Sequence, residues 1–95
     1  MRIRTPPGEI LLEEFMKPFG LSSSELARQL HVPANRVNNI VRGRREISAD
    51  TALRLARYFG TTPGFWLDAQ AGHALSKAEA DIGRTIASEV RPRAA

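Results

Sequence analysis

Residues 23–42 read SSELARQLHVPANRVNNIVR, which is two short helical patterns separated by a break at residues 31–33. Apolar residues recur at helical spacing on both sides of the break, and the small Ala27 stands where two steeply crossing helices would touch. The residues placed to fill the angle between the helices are Leu26, Leu30, Val32, Val37 and Ile40. This pattern predicts a helix-turn-helix.

The outer side of the second helix is expected to carry short polar side chains with arginines beside them. Its exposed residues would be Ala34, Asn35, Asn38 and Asn39, with Arg36 and Arg42 alongside. Asparagine is a poor helix former, but its amide can donate to and accept from adenine in the major groove. We interpret this face as one that reads DNA bases. The alternative is a helical hairpin whose exposed residues are only polar.

Elsewhere in the chain, turn residues and capping residues fall at helix-length intervals. Pro7-Gly8 opens a first helix that ends near Pro18, and Ser22 to Glu25 forms a capping box before the second helix. Gly43 is placed to end the third helix. Ser48 is an N-cap for the fourth helix, and Thr62 is an N-cap for the fifth, with proline in its first turn.

A sixth helix is expected after Gly72, because residues 76–79 form another capping box. Its apolar side would comprise Leu75, Ala78, Ile82, Ile86 and Val90. The expected fold class is therefore all-α, with five helices and a short C-terminal helical extension. We assign residues 1–72 to a helix-turn-helix domain and residues 73–95 to the extension, with a frayed end from Pro92.

The composition excludes several classes of function. The chain has 95 residues and no cysteine, which excludes disulfides and thiolate metal sites. No apolar run reaches the roughly 18–20 residues that cross a bilayer, so we expect a cytoplasmic protein without membrane contact. The two histidines, His31 and His73, are far apart and show no metal-ligand spacing. No paired acid and base or activated nucleophile suggests an enzyme, and no metal or cofactor is implied.

Charge is distributed unevenly along the chain, whose formal net charge is +4. Between Arg28 and Arg57 there are seven arginines against only Glu46 and Asp50. The first helix instead carries Glu9, Glu13 and Glu14. This division suggests two different surfaces, although both groups of charges are also what ordinary solvated helices carry.

Several strings resemble the phage-repressor-like (XRE-type) five-helix domain, and more narrowly the HigA antitoxins of type II toxin–antitoxin systems. The matching strings are Pro7 to Leu11, Leu26-Ala27, Val37 to Ile40, Gly43 to Ser48, Thr51 to Ala56, Phe59-Gly60 and Trp66 to Gln70. The helix-turn-helix alone is shared by many repressors. The loop at residues 43–48 and the Trp-Leu string are more specific.

The resemblance implies roles for individual residues. Ala34, Asn35, Asn38 and Asn39 would contact bases, and Arg36 would contact either a base or a phosphate. Phosphate contacts would come from Ser23, Arg42, Arg44 and Arg45. The resemblance leaves Phe65 and Trp66 as either core or dimer residues, and it makes Glu9, Glu13 and Glu14 a candidate toxin contact. The implied partners are double-stranded operator DNA, a second copy of the chain and a small basic RNase-like toxin of the HigB type.

Two positions depart from the family pattern. His31 occupies a turn position where glycine and a positive φ are usual, which predicts a slightly strained turn. Pro33 stands where Ser or Thr usually caps the recognition helix, which predicts a weaker helix start.

Two other functions share much of this pattern. A stand-alone transcriptional repressor without a toxin would carry the same DNA-reading residues. An interaction module that binds an acidic protein would use the arginines but would not bind DNA in a salt-sensitive way.

Overall fold

The computed structural model describes residues 2–94, and all of the regular structure in this range is helical. The α-helices are α1 (Pro7–Ile10), α2 (Ser23–Leu30), α3 (Ala34–Val41), α4 (Ala49–Phe59) and α5 (Pro63–Glu89). Helix α1 continues without interruption into a π-helical turn at Leu11–Met16 and a 3₁₀ turn at Lys17–Phe19. The all-α, five-helix fold class predicted from the sequence is confirmed.

Three helix starts are capped as the sequence predicts. The Ser22, Ser48 and Thr62 hydroxyls accept hydrogen bonds from backbone N–H groups three residues later, at 3.1, 3.2 and 3.1 Å. The second half of the predicted capping box at α2 does not form, because the Glu25 carboxylate instead accepts from Arg28 at 2.6 Å. Local sequence therefore defines these helix starts, and the serine or threonine side chain alone provides each cap.

The prediction of a separate sixth helix after Gly72 is wrong, because α5 runs unbroken through this region. The Ser76 hydroxyl is not a cap: it accepts from the Arg4 backbone N–H at 2.9 Å and donates to the His73 carbonyl at 3.1 Å. Gly72 does not end a helix either, because it lies inside α5. The Arg4 guanidinium lies across it, so close that a Cβ on Gly72 would be 2.8 Å from Arg4 Cζ. Gly72 and Ser76 therefore both contact the N-terminal arm, defined as residues 2–6, and hold it against α5.

The core lies where the first helical segment, α2, α3, α4 and the start of α5 meet. Its fully enclosed residues include Leu11, Met16, Leu26, Val37, Leu55 and Trp66. The Phe15 ring lies 5.0 Å from the rings of both Phe59 and Trp66. Trp66 has no exposed surface and donates its indole N–H to the Thr61 hydroxyl at 2.8 Å, so it is a core residue. Phe65, in contrast, is 41% exposed.

The C-terminal half of α5 extends beyond the core and makes the molecule 52 Å long but only 23 and 20 Å across. The large apolar residues assigned to the sixth helix face solvent from the middle of α5 to the residue just after its end: Leu75, Ile82, Ile86 and Val90 are 62, 49, 47 and 63% exposed. We call these four residues the α5 stripe. The division of domains between residues 72 and 73 stays a prediction. Within residues 2–94 no helix has both the length and the hydrophobicity of a membrane span.

Candidate DNA-binding surface

Helices α2 and α3 meet through a turn in which His31 adopts the left-handed conformation, with φ 59° and ψ 46°. The His31 N–H donates to the Arg28 carbonyl at 3.2 Å, and the Val32 N–H donates to the Ala27 carbonyl at 3.0 Å. This is a Schellman arrangement, which normally has glycine at the left-handed position. The strained turn predicted for His31 is therefore confirmed.

A network on α4 supports this turn, and sequence reasoning missed it. Arg54 donates from Nη1 to the Leu30 carbonyl at 2.8 Å, and from Nε to the Asp50 carboxylate at 2.8 Å. The first bond satisfies a carbonyl at the exposed end of α2, where the helix itself provides no partner. In the sequence, Arg54 is only one of the seven arginines between Arg28 and Arg57. The spacing of four residues between Asp50 and Arg54 is the one signal that the sequence offered.

Arg36 takes part in the same network. Its Nη1 lies 3.4 Å from Asp50 Oδ1, its side chain is only 23% exposed, and its Nε is buried without a partner among the described residues. The hydrogen bond from Arg54, together with the positive charges of Arg54 and Arg36, holds the pKa of Asp50 below its ordinary value. The Arg36 side chain therefore lies against Asp50 of α4.

The outer face of α3 carries the predicted base-reading residues. Ala34 and Asn35 are exposed, while Asn38 and Asn39 are half-buried. In the range that the structure describes, these amide side chains form no hydrogen bonds with other protein groups. The helix begins at Pro33, which provides no side-chain cap, as expected. The surface is thus polar, and its amide groups are available to hydrogen-bond a ligand.

The loop that follows α3 carries the predicted phosphate contacts. Gly43 has φ 74°, and the Arg44 N–H donates to the Asn39 carbonyl at 2.8 Å. Arg42, Arg44 and Arg45 are exposed, and none of them is paired with a carboxylate within residues 2–94. Ser23 is half-buried at the first position of α2. We define residues 42–47 as the arginine loop.

The far end of the arginine loop is held by Gln70 of α5. The Ile47 N–H donates to Gln70 Oε1 at 2.6 Å, and Gln70 Nε2 donates to the Ile47 carbonyl at 3.0 Å. Ile47 itself is buried in the core. Sequence reasoning placed Gln70 in a family string but gave it no role.

The acidic residues of the first helical segment lie apart from this network. Glu9, Glu13 and Glu14 are exposed, and Glu13 pairs with Lys17 at 2.9 Å. His73 hydrogen-bonds the Arg4 carbonyl through Nδ1 at 2.7 Å, which indicates a structural role. Over residues 2–94, no group of three or more His, Cys, Asp or Glu residues is arranged to hold a metal ion.

Comparison with known proteins places this geometry in a family. Residues 12–66 match the family model described as Helix-turn-helix. Virulence-associated protein I of Dichelobacter nodosus is 56% identical over 79% of this chain and 69% of that protein. Other relatives are the HTH-type transcriptional regulator YbaQ of Escherichia coli and the antitoxin HigA-1 of Vibrio cholerae, so the names are those of regulators, virulence-associated proteins and antitoxins rather than of enzymes.

Solved structures identify more specific relatives within this family. The Pseudomonas aeruginosa antitoxin HigA with the higBA promoter is 46% identical, with a TM-score of 0.89 over 98% of this chain and all of that one. The structure of the Pseudomonas aeruginosa protein PA4674 in complex with its 18-bp operator DNA is 47% identical, with a TM-score of 0.91 over 100% of this chain and 99% of that one. The chain therefore belongs to the helix-turn-helix family of DNA-binding proteins, and within that family it is a relative of the HigA antitoxins.

Proposed function

We propose that this chain is an antitoxin that represses its own operon as a dimer and neutralises a small RNase-like toxin. The observation that carries the DNA-binding half is the common exposure of the α3 face and the unpaired arginines that follow it. Free amides beside free guanidinium groups suit simultaneous contact with base edges and phosphates. Two solved structures of similar length, with promoter DNA in one and operator DNA in the other, support the same conclusion.

Each residue of the surface has a proposed role. Asn35, Asn38 and Asn39 would hydrogen-bond base edges, and Ala34 would touch a thymine methyl group. Ser23, Arg42, Arg44 and Arg45 would hold phosphates and fix the position of α3 in the major groove. Arg36 would join either set after releasing Asp50.

Two substitutions separate these roles on duplexes of the DNA upstream of this chain's reading frame. Asn39→Ala is expected to cost about 1–3 kcal/mol on the cognate duplex and to relax the base preference there. Arg44→Ala is expected to weaken binding to all duplexes and to reduce the salt slope by about one. Fluorescence anisotropy across a salt series measures both. Two variants that bind every duplex like the wild type would show that the surface is misplaced.

The proposed dimer forms through the α5 stripe, because these apolar side chains gain nothing from solvent and a second copy would bury them. A two-fold dimer would place its two α3 helices in successive major grooves, about 34 Å apart, on a palindromic site. Several large apolar side chains exposed along one side of a helix are typical of an interface.

Introducing charged residues into the α5 stripe tests whether it forms the dimer interface. Ile82→Glu with Ile86→Glu should give monomers in sedimentation and should reduce operator binding. The matched control is Ala80→Glu with Ser88→Glu, since at 100° per residue these exposed positions lie on the opposite side of α5. The control should remain dimeric. Equal behaviour of the two pairs would place the interface elsewhere.

The toxin contact is proposed for Glu9, Glu13 and Glu14, because an exposed acidic cluster suits a small basic partner. The test is co-expression with the product of the adjacent small reading frame, followed by purification through a tag on one partner. A stable complex, and toxicity of the partner alone, would support an antitoxin. No complex and no toxicity would leave a repressor. Reversal of Glu9 and Glu14 to lysine should weaken the complex, whereas reversal of Glu46 in the arginine loop should not.

A further inference from the structure

Gln70 hydrogen-bonds both backbone groups of one residue of the arginine loop, Ile47. Its carboxamide oxygen accepts from the Ile47 N–H at 2.6 Å, and its nitrogen donates to the Ile47 carbonyl at 3.0 Å. The two residues are 23 positions apart in sequence, and both bonds are partly buried. A paired contact of this kind fixes orientation as well as distance, because both bonds must be aligned at once.

The arginine loop is consequently held at both ends. At its start, the N–H groups of Gly43 and Arg44 donate to the carbonyls of Ile40 and Asn39 at 3.0 and 2.8 Å. At its end, Ile47 is buried and bonded to Gln70. Arg44 and Arg45 lie between these anchors with exposed side chains. Hydrogen bonds therefore anchor the loop backbone at Arg44 and at Ile47, while the side chains of Arg44 and Arg45 form no ion pair within residues 2–94.

We propose that Gln70 is a positioning residue for phosphate binding: its clamp on Ile47 holds Arg44 and Arg45 in register with the DNA backbone. The inference rests on the proposed DNA-binding function and adds a residue that never touches DNA. A loop ordered in advance avoids the entropy cost of ordering it on binding, and arginines on a loose loop pay that cost. The two Gln70 bonds also tie the end of the arginine loop to α5.

The first variant is Gln70→Leu, which keeps the approximate side-chain size and removes both bonds. On the duplex from upstream of the reading frame we expect about tenfold weaker binding and a salt slope lower by about one. Gln70→Glu still accepts from the Ile47 N–H but sets a carboxylate against the Ile47 carbonyl oxygen, so its loss should be similar or larger. Circular dichroism melting establishes that each variant is folded at the assay temperature; if Gln70→Leu is not, Gln70→Glu carries the test.

A double-mutant cycle separates positioning from general destabilisation. In a chain that already carries Arg44→Ala and Arg45→Ala, Gln70→Leu should have little further effect on affinity and none on the salt slope. Equal losses in both backgrounds, or an unchanged salt slope in the folded single variant, would overturn the proposal. If the wild-type chain itself does not bind the duplex in preference to a scrambled one, the proposed function fails instead, so the two failures are distinguishable.

Discussion

The packing of the first helical segment against α3 can be tested with one methyl group. Gly8 lies so close to the C-terminal end of α3 that a Cβ would overlap the Ile40 carbonyl oxygen. The same Cβ would lie 3.0 Å from the Ile40 carbonyl carbon and 3.3 Å from Val41 Cα. All three atoms are backbone, so no side chain can rotate away. The Gly8→Ala variant must therefore move one helical segment relative to the other.

The expected cost follows from two opposing effects. Alanine is more stable than glycine in a helix by at most about 1 kcal/mol. Inserting a methyl group against immobile atoms costs about 1–3 kcal/mol, and the upper end applies to a backbone contact. We expect a net loss of about 2 kcal/mol, which in a domain of this size lowers the melting temperature by roughly 10 °C.

Gly64→Ala is the matched control, because the same methyl group there would lie 3.8 Å from Asp68 and 3.9 Å from Thr62, in ordinary contact. This exposed position in the first turn of α5 should gain up to about 0.5 kcal/mol. Urea and thermal unfolding are followed by fluorescence of the single tryptophan, Trp66, at one fixed protein concentration. If Gly8→Ala melts at or above the wild-type temperature, the close packing of Gly8 against α3 is wrong.

Three further predictions concern the turn, the ion network and the core. His31→Gly should stabilise the chain by about 0.5 kcal/mol in urea unfolding, because glycine adopts the left-handed conformation without strain; a loss would mean that the histidine ring contributes more than its backbone costs. Asp50 has a pKa below its ordinary value of 3.8, so its stabilising effect is complete above that value and is lost as the pH falls below it. An NMR titration should show this low pKa, and Arg54→Ala should raise it; an unchanged pKa in the variant would exclude Arg54 as the main cause. Trp66→Phe should cost about 2 kcal/mol by circular dichroism, since it leaves a cavity and an unpaired Thr61 hydroxyl; a neutral result would mean that the core can close around the smaller ring.

The sequence predicted best those features that depend on neighbouring residues. The caps at Ser22, Ser48 and Thr62 depend on a side chain and a backbone group three residues apart, so the chain need not fold for the pattern to be visible. The left-handed conformations of His31 and Gly43 are local in the same way. The helix-turn-helix was predictable because its two short helices are adjacent in the chain.

Apart from the local pairing of Glu25 with Arg28, the contacts that the sequence did not predict join a side chain to distant backbone. Ser76 followed by glutamate three residues later has the pattern of a capping box, but the serine hydroxyl binds Arg4, 72 residues away in sequence. Gln70 and Arg54 make equivalent contacts over 23 and 24 residues. A single sequence gives no spacing rule for such pairs, because the packing of helices alone brings them together.

These distant contacts make α5 the element that relates the DNA surface to the proposed dimer. One side of its N-terminal half holds the arginine loop through Gln70 and the N-terminal arm through His73 and Ser76. The α5 stripe begins at Leu75, near the middle of the same unbroken helix of 27 residues (about 40 Å at 1.5 Å per residue), and ends at Val90, directly after the last helical residue. Since a continuous helix transmits orientation, the angle between the stripe and the arginine loop is fixed within one protomer. In a two-fold dimer, that angle would set the separation of the two α3 helices and hence the spacing of the operator half-sites.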